Sequence, residues 1–416
     1  MSTDDIRADS KPYKDKTTGL WCAVITLPPG GDGKRKRVVL RAKSLKDAAA
    51  KRRERMKELE KGLNPTSSKA TVESWLDYWL DNIARRRVRP RTFAEYQSTI
   101  RRNIVPFIGA HRLDKLQPAH VREMHKMILA AGKSSRTAEK SHNILSKSLS
   151  DAIRDGHVAR NVCEHVDKPK VTPTSRGALT ADQARILLRH AAKHADPMAS
   201  RWAAALMLGG RQGELIGLQW DRVDLERGLV DFEWQLQRIP YRHGCGEADA
   251  GKFPCGKAAN RPATCPRREF NVEPWFKYQQ LHHSLCLTEP KTSKSIRVVP
   301  LPDPLVAILR EYRKSWQPNP HNLVWTSEAG LPIGPREDYE AWDDALSSAE
   351  LPDVPLHAAR HTTATLLLEA GVDIHIISQI LGHSAILTTQ GYAHVDQTLA
   401  RQALGTTFND FLSVEQ

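Results

Sequence analysis

Three segments in the C-terminal half of the chain carry side chains that suit work on a phosphodiester. In "WAAALMLGGRQGELIGLQW" an apolar helix is expected to end at Gly209-Gly210, leaving Arg211 at the break before a second helix with Glu214, Leu215 and Leu218. An arginine between two apolar helices needs an anion, because an unpaired buried charge is costly. Glu214 is either that anion or the group that turns Arg211 towards a phosphate, two of whose oxygens a guanidinium can bind together. In "EPKTSKSIRVVPLP" polar residues lead into a β-branched strand, so Lys291 sits at or near a hairpin end, unless it is simply a solvated charge. In "LHAARHTTATLLLEAGVDIHIISQILGH" His357 and Arg360 share a face at the start of a helix that Gly371 stops. Backbone N–H groups at a helix start favour an anion. "IHIISQIL" is a second helix that ends at Gly382 and delivers His383. Beyond it, in "LGHSAILTTQGYAHV", Tyr392 follows His383 by nine residues and reads either as a surface aromatic anchoring a loop or as a nucleophile.

These residue types define a reaction. A phenol with an ordinary pKa near 10 needs a base and a positive surrounding before it attacks phosphorus. Arg211 and Arg360 would hold the non-bridging oxygens and stabilise the charge of a pentavalent transition state. Lys291 would protonate the leaving 5′-oxygen, His357 would accept the tyrosine proton, and His383 would donate a hydrogen bond to the phosphate. Two local patterns point elsewhere and fail. "GEADAGKF" has P-loop glycine and lysine spacing, but Phe253 stands where Ser or Thr belongs. "HAARH" spaces two histidines like a zinc protease helix, yet lacks the glutamate and places Arg360 between them.

The rest of the chain must position these groups. It has 416 residues, which implies two or three domains, and its net charge of +14 points to a polyanion. No apolar run approaches the roughly 20 residues that span a bilayer, and "MSTDDIRADS" is too acidic and polar for a signal peptide. Six cysteines without an export signal suggest reduced thiols in a cytoplasm. Near the start, "GLWCAVITL" and "KRKRVVLRA" are β-rich runs joined by the turn signal "PPGGDG". "SLKDAAAKRRERMKELEKG" then begins with a Ser N-cap and stops at Gly62. Residues 1–60 hold half of the chain's basic excess. They read as a small DNA-binding sheet backed by one helix, or as a solvated basic hairpin. After the linker-like "GLNPTSSKA", residues 70–165 form an all-α bundle. Trp75 and Trp79 with Leu76, Leu80 and Ile83 mark its first helix, and Ile144, Leu145, Leu149 and Ile153 mark its last. "DKPKVTPTSRG" is a second linker.

The ordered set "GGRQGELIGLQW", "KTSKSIRVVPL", "HAARHTTATLLLEAG" and "LGHSAILTTQGYAHV" closely resembles the motifs of the tyrosine recombinase family, the phage-integrase group. The resemblance covers most of 178–400. By position in those motifs it implies that Arg211, Lys291, His357, Arg360 and His383 activate the phosphate, with Glu214 in support, and that Tyr392 is the nucleophile. It implies a multidomain α+β fold. A small β-sheet-plus-helix domain (1–62) would bind arm-type DNA sites, and an all-α domain (70–166) would bind core-type sites. A mainly α catalytic domain with a small antiparallel sheet (176–400) and a tail (401–416) would follow. The implied function is site-specific integration or excision of a phage or other mobile element, by a homotetramer on double-stranded DNA in a bacterial cytoplasm. No cofactor would be required for catalysis, and a directionality factor and a DNA-bending host protein could assist. Two rivals share features with this reading: a type IB topoisomerase, and a DNA-binding regulator that keeps the fold without the activity.

One stretch departs from the family pattern. An insertion at about 241–284 includes "YRHGCGEADAGKFPCGKAANRPATCPRRE", poor in apolar residues. His243, Cys245, Cys255 and Cys265 could form a closed tetrahedral zinc site of structural kind, with Cys286 and His282 or His283 as further candidates. Their wide spacing lacks a CxxC turn, so the alternative is a basic loop with reduced thiols.

Overall fold

The computed structural model describes residues 11–29, 35–60, 70–171, 177–248, 252–290, 295–382, 397–409 and 411–412. The chain divides into two units, Met1–Pro173 and Thr174–Gln416. Among the described residues no helix is long and apolar enough to cross a membrane.

The first unit opens with an antiparallel sheet of β1 (Tyr13–Lys14), β2 (Trp21–Pro29) and β3 (Arg35–Ala42), in that spatial order. Helix α1 (Leu45–Glu60) follows, with Ser44 Oγ accepting from the backbone N–H of Asp47 at 3.1 Å. Ala23 and Ile25, two apart and so on one face of β2, are fully buried. They pack with Ala48 and Met56 of α1. So small a core is what a short, highly charged stretch can bury.

The helical part comprises α2 (Val72–Trp79), α3 (Arg85–Arg87), α4 (Pro90–Thr99), α5 (Val105–Ile108), α6 (Pro118–Ala130) and α7 (Ser135–Arg154). Short π-helical turns at Leu80–Ala84 and Ile100–Ile104 join α2 to α3 and α4 to α5. Trp75 and Trp79, one turn apart, are buried against α7: Trp75 Nε1 donates to Ser148 O at 3.2 Å and Trp79 Nε1 to Asp151 Oδ2 at 2.8 Å. The stripe expected on α7 is corrected at its end. Ile153 is exposed and Asp151 faces inward, held there by Trp79 and Arg87.

Between α6 and α7, His142 Nδ1 lies 3.2 Å from His125 Nε2, both rings buried. Burial, then His125 and Lys168, push the His142 imidazole down to about 4, and burial lowers His125 as well. An unfolded imidazole titrates near 6.5, so protons bind the unfolded chain first as pH drops. The helical part should therefore hold its full stability above about pH 6.5 and lose up to roughly 3 kcal/mol of it as pH falls towards 4. Urea midpoints of a 70–171 fragment at about pH 7.5 and about pH 5 test this. Wild type should lose stability and His142→Gln should lose much less; an unchanged wild-type midpoint would show that the pair protonates at no cost.

The second unit packs α8 (Ala181–Lys193), α9 (Ala199–Leu208), α10 (Gln212–Ile216), α11 (Asp303–Ser315), α12 (Pro335–Ser348), α13 (His357–Glu369), α14 (Ile374–Leu381) and α15 (Gln397–Phe408) around one core. Trp202, Leu206, Phe232, Val299, Trp342, Leu367, Ile380 and Leu404 lie at its centre. Its strands are β4 (Val223–Asp224), β5 (Leu229–Phe232), β6 (Gln235–Arg238), β7 (Tyr241–His243), β8 (Arg268–Phe270), β9 (Tyr278–His282), β10 (Leu285–Thr288) and β11 (Arg297–Pro300). They form three antiparallel groups, β11-β5-β4, β6-β10-β9 and β7-β8.

This topology bears on two expectations. Strand β11 pairs with β5, Arg297 opposite Phe232, whereas β10 lies in the other three-stranded sheet. Strands β10 and β11 therefore do not pair with each other, and Lys291, between them in the chain, lies outside the described residues. Strand β9 falls within the span 241–284 but pairs with β10 and is part of the β6-β10-β9 sheet. What departs from that sheet is the excursion carried by β7 and β8, which pair Tyr241 with Phe270 and His243 with Arg268.

Candidate active site

Helix α9 ends at Gly209, which adopts φ +58° as a left-handed C-cap. A Cβ at this glycine would be strained at that φ and would stand 2.5 Å from Leu381 Cδ2, so a larger residue would have to push back the buried end of α14. Two residues on, Arg211 caps α10, its backbone N–H donating to Glu214 Oε2 at 2.9 Å. Its guanidinium Nη1 donates to Glu214 Oε1 at 2.6 Å and Nη2 to Gly382 O at 2.7 Å. Its side chain keeps 34% of its exposure and so remains open to a ligand.

Arg360, one turn into α13, is buried and donates to Gly209 O at 2.8 Å and to Leu381 O. Both partners are backbone carbonyls. Burial, then the neighbouring Arg211 and Arg297, push this guanidinium down to about 9. His357, at the N-terminal end of the same helix, is also held below its ordinary value, by burial first and then by His361, Arg360 and Arg211. A neutral imidazole is the form that can accept a proton.

Arg297 is the member of this cluster that sequence reasoning missed. It donates to Glu214 through Nη1 at 3.2 Å and Nη2 at 2.9 Å, and to Ile380 O through Nε at 2.8 Å. Its guanidinium carbon lies 4.7 Å from the centre of the Phe232 ring. A signal was available: Arg297 and Val299 are two apart on a short strand and both point inward, and an inward arginine demands a buried acid.

Three successive carbonyls at the C-terminal end of α14, those of Ile380, Leu381 and Gly382, thus each accept from a different arginine. The last carbonyls of a helix have no partner within it and carry the negative end of its dipole. Three guanidiniums satisfy them here, with Glu214 as the carboxylate between Arg211 and Arg297. Burial pushes the Glu214 carboxyl up, but Arg297, then Arg211, outweigh it and hold the group below its ordinary value. Three arginines against one carboxylate leave an excess of positive charge, which favours an anion.

Of the residues expected to act, the structure brings together Arg211, Glu214, Arg360 and His357. Lys291, His383 and Tyr392 lie outside the described residues, as does the whole of 383–396. The chain enters that segment directly from the clamped end of α14.

At the excursion, His243, Cys245, Cys255 and Cys265 converge, with one ligand atom of each within 4.8 Å of all the others. Cys286, His282 and His283 are not part of this group.

The chain matches two family models: "Phage integrase family" over residues 276–398 and "Phage integrase, N-terminal SAM-like domain" over 71–128. The first span contains Lys291, His357, Arg360, His383 and Tyr392; Arg211 and Glu214 precede it. An integrase of Saccharopolyspora erythraea is 28% identical over 403 residues, 91% of each chain. A XerC-like tyrosine recombinase of Caldanaerobacter subterraneus is 26% identical over 391 residues, 89% of this chain and 91% of its own. Among solved structures, the Tn1549 transposon integrase in complex with a circular intermediate DNA superposes with TM-score 0.60 at 18% identity, covering 80% of this chain and 99% of that one. A lambda integrase tetramer bound to a Holliday junction gives TM-score 0.52 at 16% identity, covering 92% and 98%. At these identities the structures establish a shared fold.

Proposed function

We infer the course of the reaction from the family: this chain belongs to the phage integrase group of tyrosine recombinases and is a site-specific DNA recombinase, an integrase that cleaves and rejoins DNA. In the reading we propose, the Tyr392 phenol oxygen attacks a backbone phosphorus. The phosphorus–5′-oxygen bond breaks and a 3′-phosphotyrosyl bond forms. His357 takes the phenol proton, and Lys291 gives a proton to the departing 5′-oxygen. Arg211 and Arg360 bind the non-bridging oxygens, and His383 donates to the same phosphate. The 5′-hydroxyl of a second strand then attacks the phosphotyrosine and releases Tyr392. One phosphodiester replaces another, so the step needs no nucleotide or metal.

The observation that carries this reading is the arginine cluster at the end of α14. It binds the helix end that leads into the segment with His383 and Tyr392, while Arg211 keeps exposed surface for a phosphate. Residues 70–166 would grip the core-type site next to the cut, and 1–62 a distant arm-type site. Strand exchange would proceed in a homotetramer on two paired sites, on DNA in the cytoplasm, assisted by a directionality factor and a DNA-bending host protein.

A supercoiled plasmid with two attachment sites tests the reading. Integration or excision products should form without added nucleotide, and removing the arm sites or residues 1–62 should spare cleavage at core sites. Relaxation of the plasmid with no rearranged product would make the enzyme a topoisomerase instead.

A further inference from the structure

We propose that His243, Cys245, Cys255 and Cys265 bind one zinc ion in a closed tetrahedral site that holds the β7–β8 excursion in shape. Zinc–thiolate bonds of about 2.3 Å place tetrahedral ligand atoms about 3.8 Å apart. The four ligand atoms here already lie within 4.8 Å of one another, and His243 Nδ1 is 3.5 Å from Cys255 Sγ. The other ring nitrogen, Nε2, is 3.2 Å from Ala258 O. With Nε2–H donating to that carbonyl, the Nδ1 lone pair points at the thiols, the outer-shell arrangement that orients metal-binding histidines. Phe253 stacks on the imidazole at 3.8 Å with an interplanar angle of 3°, which fixes the plane of the ring.

The backbone supports the same convergence. Gly244, between the first two ligands, donates its N–H to Arg267 O at 2.9 Å. A Cβ on it would come within 2.3 Å of that oxygen, so this approach admits only glycine. It brings His243 and Cys245 against the chain leading out of Cys265, whose carbonyl accepts from Arg268 N–H at 3.1 Å.

The excursion also needs such a staple. Its two strands are three residues each. The apolar cluster at its base uses Ile239, Phe270, Val272, Phe276 and Cys286. Cys265 is fully buried yet belongs to none of the described apolar clusters. Segments too small to bury a core of their own commonly depend on a metal or on disulfides. Three thiols and an imidazole select zinc among the abundant divalent ions, and four protein ligands leave no open position for a substrate. The ion is structural, and its assignment stands whatever the chain does to DNA.

The full-length chain, purified in reducing buffer, should hold about one zinc per chain, released by a mercurial reagent and counted by mass spectrometry. Cys255→Ser should lose it and Cys286→Ser should keep it. Cobalt exchanged into wild type should show tetrahedral absorption bands with thiolate charge transfer, a reading that needs no variant to fold. On chelation, trypsin should cut first at Lys252 and Lys257. A wild-type chain that carries no zinc and takes up no cobalt would overturn the assignment. A disulfide between any two of the three cysteines in non-reduced peptides of that chain would do the same.

Discussion

Tyr392→Phe should bind attachment-site DNA within about two-fold of wild type and yet form no covalent protein–DNA adduct, a loss of at least about 10⁴-fold in strand cleavage. The two expectations separate because they rest on different groups. Affinity for DNA comes from many phosphate contacts spread over basic surface, and one phenol adds little to it. Bond formation at phosphorus needs one particular oxygen, and phenylalanine keeps the ring while removing that atom. A nicked suicide substrate, on which the released strand diffuses away, traps the adduct for detection on a denaturing gel. Binding must be compared at one salt concentration, because phosphate-dominated affinity falls steeply with salt. Adduct on the variant at the parental level would end the assignment of Tyr392. A large loss of binding with the adduct would instead give the residue a part in holding DNA.

Glu214→Ala should lower stability by about 3–5 kcal/mol and abolish strand cleavage, for two separable reasons. The carboxylate is 1% exposed and binds Arg297, itself buried, through both oxygens. Removing it leaves Arg297 as a buried charge with carbonyls alone. The same carboxylate braces Arg211 through its guanidinium and its backbone N–H. A paired variant distinguishes the effects. Glu214→Leu combined with Arg297→Met replaces the ion pair by apolar groups, a change that often costs little. Most of the thermal stability should return, while cleavage stays lost because Arg211 has no brace. Recovery of both would reduce Glu214 to a packing role; loss of neither in Glu214→Ala would remove the cluster from the argument. The carboxyl lies below its ordinary value in the folded chain, so its contribution is present above the usual carboxylate range and disappears as pH falls through the folded value.

Local spacing carried much of the site. Arg211 and Glu214 are three apart across a helix start, a separation at which side chain and backbone meet whatever surrounds them. The same holds for His357 and Arg360 on α13, and for the glycines that end α9 and α14, which the chain announces because few other residues adopt their backbone. The paired tryptophans on α2 likewise show which face is buried, since a helix repeats at a fixed angle.

The remaining relations join residues that the sequence keeps far apart, and no periodicity encodes them. Arg297 meets Glu214 across 83 positions, a contact made when β11 pairs with β5. Arg360 donates to carbonyls at the ends of two other helices, so its surroundings exist only once α9, α13 and α14 have packed. The order of residues likewise named the types of the four ligands in the excursion but not their convergence, which follows from the close approach of Gly244 to Arg267. Types and short spacings are properties of a linear chain. Which charge is buried, and against what, depends on how distant segments exclude water from one another.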